Sequence, residues 1–147
     1  VARAGGMNGS SQALPVLSAV VVHWHNPAEL AALVESWPRD PRYELVVVDN
    51  SGDAGPLPDF VVRLEPGVNL GFGGGAMRGV AAARAPLVLL LNPDAHPRPG
   101  ALAALVRAFD EHPAAAGVVP ALEDEDGRSQ HRWQLRALPS PTTLLLQ

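Results

Sequence analysis

The chain alternates between apolar runs of four to seven residues and stretches with helical spacing. Leu17-Ser18-Ala19-Val20-Val21-Val22-His23 is a continuous β-branched run, the pattern of a strand buried on both faces. Asn26, Pro27 and Glu29 follow as N-cap, first-turn proline and third helical position. Leu30, Leu33, Val34 and Trp37 then recur at helical spacing, predicting a helix from Ala28 to Trp37. Pro38 and Pro41 end it, and Glu44-Leu45-Val46-Val47-Val48-Asp49 predicts a second buried strand, completing a βαβ unit. Phe60-Val61-Val62-Arg63-Leu64 reads as a third strand, and its arginine and the nearby Pro66 mark it as an edge. A glycine loop, Gly71 to Gly75, opens an alanine-rich helix reaching about Ala85, and Leu87 to Leu91 predicts a fourth strand. Leu102, Leu105, Val106 and Phe109 predict a further helix closing near His112-Pro113. Gly117 to Leu122 predicts a fifth strand, and Asp126-Gly127 a hairpin turn into a strand from Arg128 to Trp133.

Strands alternating with helices imply a three-layer α/β fold around a mainly parallel sheet. Ligands of such sheets bind beyond the carboxyl ends of the strands. Three predicted strands carry polar clusters there: His23-Trp24-His25-Asn26, Asp49-Asn50-Ser51 and Asn92-Pro93-Asp94. Residues 1–15 are small and polar and read as a disordered arm, leaving one domain over residues 16–147.

Composition narrows the chemistry. At 147 residues and 47% hydrophobic, the chain suits one core. With 11 basic against 15 acidic residues and a net charge of −4, no cationic surface for nucleic acid stands out. No cysteine is present, which excludes thiol catalysis and cysteine-ligated zinc. Every basic residue is arginine, which excludes a P-loop and a lysine Schiff base. No apolar run is long enough to span a membrane, and the composition suits a reducing cytoplasm.

Each candidate group has two readings. Asn92-Pro93-Asp94 is good turn chemistry, but Asp94 with Asn92 also offers hard oxygen ligands for Mg²⁺ or Mn²⁺ on a diphosphate. Asp49 either closes an Asx-turn or accepts hydrogen bonds from a base N–H or a ribose hydroxyl. The glycine segment is either a flexible turn or a place of close backbone approach. Gly71-Phe72-Gly73-Gly74-Gly75-Ala76 fits a loose dinucleotide fingerprint, with Asp94 23 residues on, so an NAD-dependent oxidoreductase is the rival enzyme class. Against it, the fingerprint normally follows the first strand. His23 and His25 share one face of an extended backbone and could ligate metal or line a rim, and no third ligand stands at metal spacing. Glu123 to Asp126 reads as a solvated hairpin tip.

Taken in order, Val20-Val21-Val22-His23-Trp24-His25-Asn26, Val46-Val47-Val48-Asp49-Asn50-Ser51, Asn69-Leu70-Gly71-Phe72-Gly73-Gly74-Gly75-Ala76-Met77-Arg78-Gly79 and Leu89-Leu90-Leu91-Asn92-Pro93-Asp94 resemble the family 2 glycosyltransferases of GT-A fold, in particular their bacterial rhamnosyltransferase-like branch. The resemblance runs from Leu17 to Gln147. It implies transfer of a sugar from a UDP- or dTDP-linked donor to a glycan or lipid-linked acceptor with inversion, in cell-wall or polysaccharide synthesis. It places His23, His25, Asn26, Asp49, Asn50, Gly71, Gly73 and Gly74 about the nucleotide, and Asp94, with Asn92 as a weaker contributor, on Mg²⁺ or Mn²⁺. The expected location is cytoplasmic, including peripheral attachment at the inner face of the membrane. Asn92 stands where the commoner motif has aspartate, and Ala76-Met77 where this branch often has two asparagines. Family members continue for roughly another domain, which carries the acceptor site and the general base. The chain is therefore expected to be the donor-nucleotide portion, incomplete at its C-terminus with its base beyond Gln147. A non-catalytic nucleotide-binding fragment is the third reading.

Overall fold

The computed structural model describes residues 13–124 and 126–130. These fall into two units, Val1–Arg107 and Ala108–Gln147. The first contains β1 (Leu17–His23), α1 (Pro27–Ser36), β2 (Tyr43–Asp49), β3 (Val61–Leu64), α2 (Gly71–Ala82) and β4 (Leu87–Leu91), and α3 (Ala101–Glu111) begins in it. The four strands pair in parallel in the order β3-β2-β1-β4.

The run read as buried on both faces behaves as one. Odd-numbered residues of β1 and β2, including Ala19, Val21, Leu45 and Val47, pack with Leu30, Leu33 and Val34 of α1 and Leu102 of α3. The even-numbered Val20, Val46 and Val48 form a separate cluster on the opposite face. There α2 lies so close that a methyl on Gly79 would collide with Val20 and press on Val48, while one on Gly75 would stand 2.8 Å from a methyl of Val22. Helices on both faces make the three layers.

Beneath the amino ends of the strands, a polar staple joins three elements. Glu44 accepts from Ser18 Oγ at 2.6 Å and from Arg84 Nε at 2.6 Å, and Ala85 N–H donates to Ser18 Oγ at 3.1 Å. The buried carboxylate of Glu44 is thereby paired at the cost of crossing from β2 to the loop after α2. Burial pushes its pKa up, but the donors from Ser18 and Arg84 outweigh it and hold the group below its usual range.

Several expectations change. Pro15, at the edge of the expected arm, is buried, and Val16 N–H donates to Arg42 C=O at 2.9 Å; residues 1–12 of that arm lie outside the described residues. Asn26 stands at the N-cap of α1 but makes no side-chain cap bond, because its backbone (φ −136°, ψ 57°) departs from the usual capping geometry. The glycine segment is not a loop before the helix. It is the first turn of α2, with only Gly71 left-handed, at φ 68°. In the second unit, residues 117–122 form no strand, and Pro120 has no N–H to offer a ladder. The Asp126-Gly127 turn is present, with an isolated antiparallel bridge between Glu123 and Ser129. Trp133 and the remainder of the proposed last strand lie outside the described residues.

Candidate functional site

Parallel pairing sets the carboxyl ends side by side: His23 lies opposite Asp49, and Val21 opposite Leu91. The β1 and β2 clusters meet directly. Asn50 N–H donates to His23 C=O at 3.0 Å, and His25 N–H to Ser51 Oγ at 3.1 Å. The β4 cluster stands at the same edge on the other side of β1. Asn92 C=O accepts from Ala95 N–H at 3.1 Å in a turn that leaves the Asn92 and Asp94 side chains exposed. Among the described residues, no hydrogen bond or ion pair engages the Asp94 carboxylate, which suits a group that takes a cation from solvent.

Asp49 is differently placed. Its side chain is fully buried, with Oδ1 accepting from Gly52 N–H at 2.7 Å and Oδ2 from Ala54 N–H at 3.2 Å and Arg63 Nη2 at 2.8 Å. Burial raises its pKa, but these donors together outweigh that and hold it ionised below the usual range. The carboxylate thus folds the loop after β2, as an Asx-type turn would, and presents no free oxygen in this conformation.

His23 is likewise fully buried, its Nε2 donating to Asp53 Oδ1 at 2.8 Å. His25 is exposed, adopts a left-handed backbone (φ 51°) and bonds the other oxygen of Asp53 through Nδ1 at 3.0 Å. Its ring lies 4.2 Å from that of the half-exposed Trp24. Ser51 donates to Asp53, and this bond with the two from the imidazoles holds the Asp53 carboxyl far below its usual range. Asp53 and Arg63 do not stand out as site residues in the sequence, and Ser51 does so only as part of the Asp49-Asn50-Ser51 cluster. The one available signal for Asp53 was its place in the loop directly after the Asp49 cluster.

Asn50 ties this corner to α2. Its Nδ2 donates to Gly71 C=O at 3.1 Å, while its Oδ1 is buried without a partner. Gly71 N–H donates to Asn69 Oδ1 at 2.8 Å, and no side chain caps the helix beyond that. The first-turn amides of Phe72 and Gly73 therefore keep open donors beside exposed glycines, an arrangement that suits an anion. Gly71, Gly73 and Gly74 are all exposed. The turn after β1, where a dinucleotide fingerprint would normally stand, contains no glycine.

Residues 18–146 match the family described as Glycosyl transferase family 2. Among solved structures, the crystal structure of S. aureus TarS 1-349 is similar, with a TM-score of 0.52 and 22% sequence identity. The similarity covers 74% of this chain and 40% of that one, so the chain spans well under half of its neighbour. No curated protein matches the sequence.

Proposed function

The chain belongs to glycosyl transferase family 2, and from that membership we propose that its sheet edge binds the nucleoside diphosphate of a UDP- or dTDP-linked sugar donor. The transfer would go to a glycan or lipid-linked acceptor with inversion, in the manner of the rhamnosyltransferase-like branch. The fold is GT-A-like, as the TarS similarity indicates. The observation that carries the reading is that one carboxyl edge presents both Asp94, a carboxylate unengaged among the described residues, and the glycine-lined start of α2, where Asn69 takes only the Gly71 N–H.

In this reading the exposed His25 and the half-buried Asn26 receive the nucleoside, with the buried Asn50 beside them, over a floor made by His23 and Asp49. Those two buried residues act by holding the loops rather than by direct contact. The Phe72 and Gly73 amides, with Gly71 and Gly74 beside them, face the diphosphate. Asp94, with Asn92 next to it, would hold Mg²⁺ or Mn²⁺, whose chemistry is to neutralise the charge that develops on the departing diphosphate. Among the described residues neither side chain is engaged elsewhere, and their all-oxygen donor set fits these ions. No helix among the described residues is long and apolar enough to cross a membrane; the cytoplasmic location, with peripheral attachment to the membrane, is part of the proposal.

Calorimetric titration of UDP and of dTDP, with Mn²⁺ and again with EDTA, tests the reading. Tighter binding in Mn²⁺ is expected. Equal affinity in the two conditions would remove the metal role, and metal-independent binding of NAD would restore the oxidoreductase reading.

A further inference from the structure

Asp53 joins the two loops that the sheet edge brings together. Its Oδ1 accepts from His23 Nε2 at 2.8 Å and from Ser51 Oγ, and its Oδ2 accepts from His25 Nδ1 at 3.0 Å. We propose, resting on the nucleoside-diphosphate reading above, that Asp53 is a positioning residue that selects the base. By fixing His25 in its Nδ1–H form, it presents Nε2 as the hydrogen-bond acceptor for the imide N–H of a uracil or thymine.

A neutral imidazole carries one N–H and one bare nitrogen, and the partner of one nitrogen decides the state of the other. The Ser51 hydroxyl and the two imidazoles hold the Asp53 carboxyl far below its usual range, so both its oxygens are acceptors throughout the neutral range. An acceptor at 3.0 Å requires the proton on Nδ1, which leaves Nε2 with its lone pair. Among the described residues no hydrogen bond engages Nε2, and the His25 side chain is 58% exposed, so the ring is open to a ligand. Uracil and thymine carry a donor at N3, where cytosine carries an acceptor. The bare Nε2 therefore pairs with the first two, and with cytosine it would set two lone pairs against each other.

The surroundings of His25 agree with this role. Its N–H donates to Ser51 Oγ at 3.1 Å with the backbone at φ 51°, and the Trp24 ring lies 4.2 Å away, tilted by 55°. Backbone, ring nitrogen and ring face each have a partner, so the side chain gives up little freedom on meeting a base. The acceptor that the sequence offered at Asp49 is spent on Gly52, Ala54 and Arg63, which leaves the base in need of another. The fully buried His23 holds the first oxygen of Asp53 and so anchors it to the end of β1.

Calorimetric titration of the full chain with UDP, CDP and inorganic pyrophosphate, each in Mn²⁺, tests the role in the native protein, Asp53→Asn and His25→Asn. Long-range ¹H–¹⁵N spectra of the imidazoles at about pH 8 read the tautomer directly, with His25→Asn assigning the ring. In Asp53→Asn, Ser51 and His23 keep the amide oxygen and the NH₂ group turns to His25, which moves the ring proton to Nε2. The native chain should show His25 as Nδ1–H and bind UDP about tenfold more tightly than CDP, the equivalent of one lost hydrogen bond. Asp53→Asn should show Nε2–H and erase or reverse that preference, with pyrophosphate affinity unchanged. His25→Asn keeps a residue type that accepts the left-handed backbone and should also bring UDP and CDP close to parity. A native His25 that is Nε2–H or doubly protonated would overturn the proposal, as would a preference for UDP that survives both variants. UDP binding without preference over CDP would bring down the proposal alone, whereas no UDP binding by the native chain would bring down the donor reading with it. Should Asp53→Asn fail to fold, the native tautomer and His25→Asn decide.

Discussion

Arg63, on the edge strand β3, reaches across to the end of β2 and places Nη2 2.8 Å from Asp49 Oδ2. The same guanidinium donates to Gly55 C=O at 2.8 Å and pairs with Glu65 at 2.7 Å, so one side chain closes the loop between two strands. Asp49 in turn gathers the Gly52 and Ala54 amides. The loop that carries Ser51 and Asp53 is therefore shaped by an ion pair beneath it.

Removing the buried partner should show this. Asp49→Ala leaves Arg63 and two backbone amides without their acceptor and is expected to cost about 3 kcal/mol, the range for breaking a buried pair. Urea denaturation would measure it. An unchanged midpoint would mean that the loop holds its shape without the carboxylate.

The acid limb of stability follows from the same groups. Asp49, Glu44 and Asp53 all have folded-state pKa values below their ordinary values of 3.8, 4.5 and 3.8. A depressed folded pKa gives stability that is fully present above the unfolded value and lost as the pH falls through the folded one. Thermal melts should be flat with respect to these groups above about pH 5 and fall steadily below about pH 4. In Asp49→Asn with Glu44→Gln the fall should be shallower, and an equally steep one would assign the acid loss elsewhere.

Two glycines of α2 should respond oppositely to the same substitution. A methyl at Gly79 meets Val20 and Val48 and should destabilise by about 1–3 kcal/mol through overpacking. At Gly73 a methyl meets nothing within 4 Å, and Ala is the better helix former by up to about 1 kcal/mol. Gly73→Ala should raise the melting temperature while weakening UDP binding, since the methyl stands beside the amides proposed to face the diphosphate. Undiminished UDP affinity in Gly73→Ala would move the diphosphate away from this turn.

Asp94→Ala should separate binding from folding. The side chain is exposed and, among the described residues, unengaged, so stability is expected to stay within about 0.5 kcal/mol. Affinity for UDP in Mn²⁺ should fall at least about tenfold, to the level seen in EDTA. If affinity stays at the native level, Asp94 is a turn residue only.

The sequence by itself determined the order of elements from β1 to α3, the parallel sheet and the three polar clusters at its carboxyl edge. These depend on local facts: β-branched runs long enough for one strand, apolar positions at helical spacing, prolines that end helices, and the alternation that sends Val20 and Val21 to opposite faces. What only the tertiary structure decided was which polar groups are already taken. Asp49 is consumed by Arg63, His23 and His25 by Asp53, and Glu44 by Ser18 and Arg84. Each pairing joins separate elements or loops and depends on the strand register, which sets His23 opposite Asp49 and Val47 opposite Arg63. Periodicity assigns a residue to a face, whereas a buried polar group must find whichever partner the fold brings within about 3 Å, and that distance is a property of the assembled sheet.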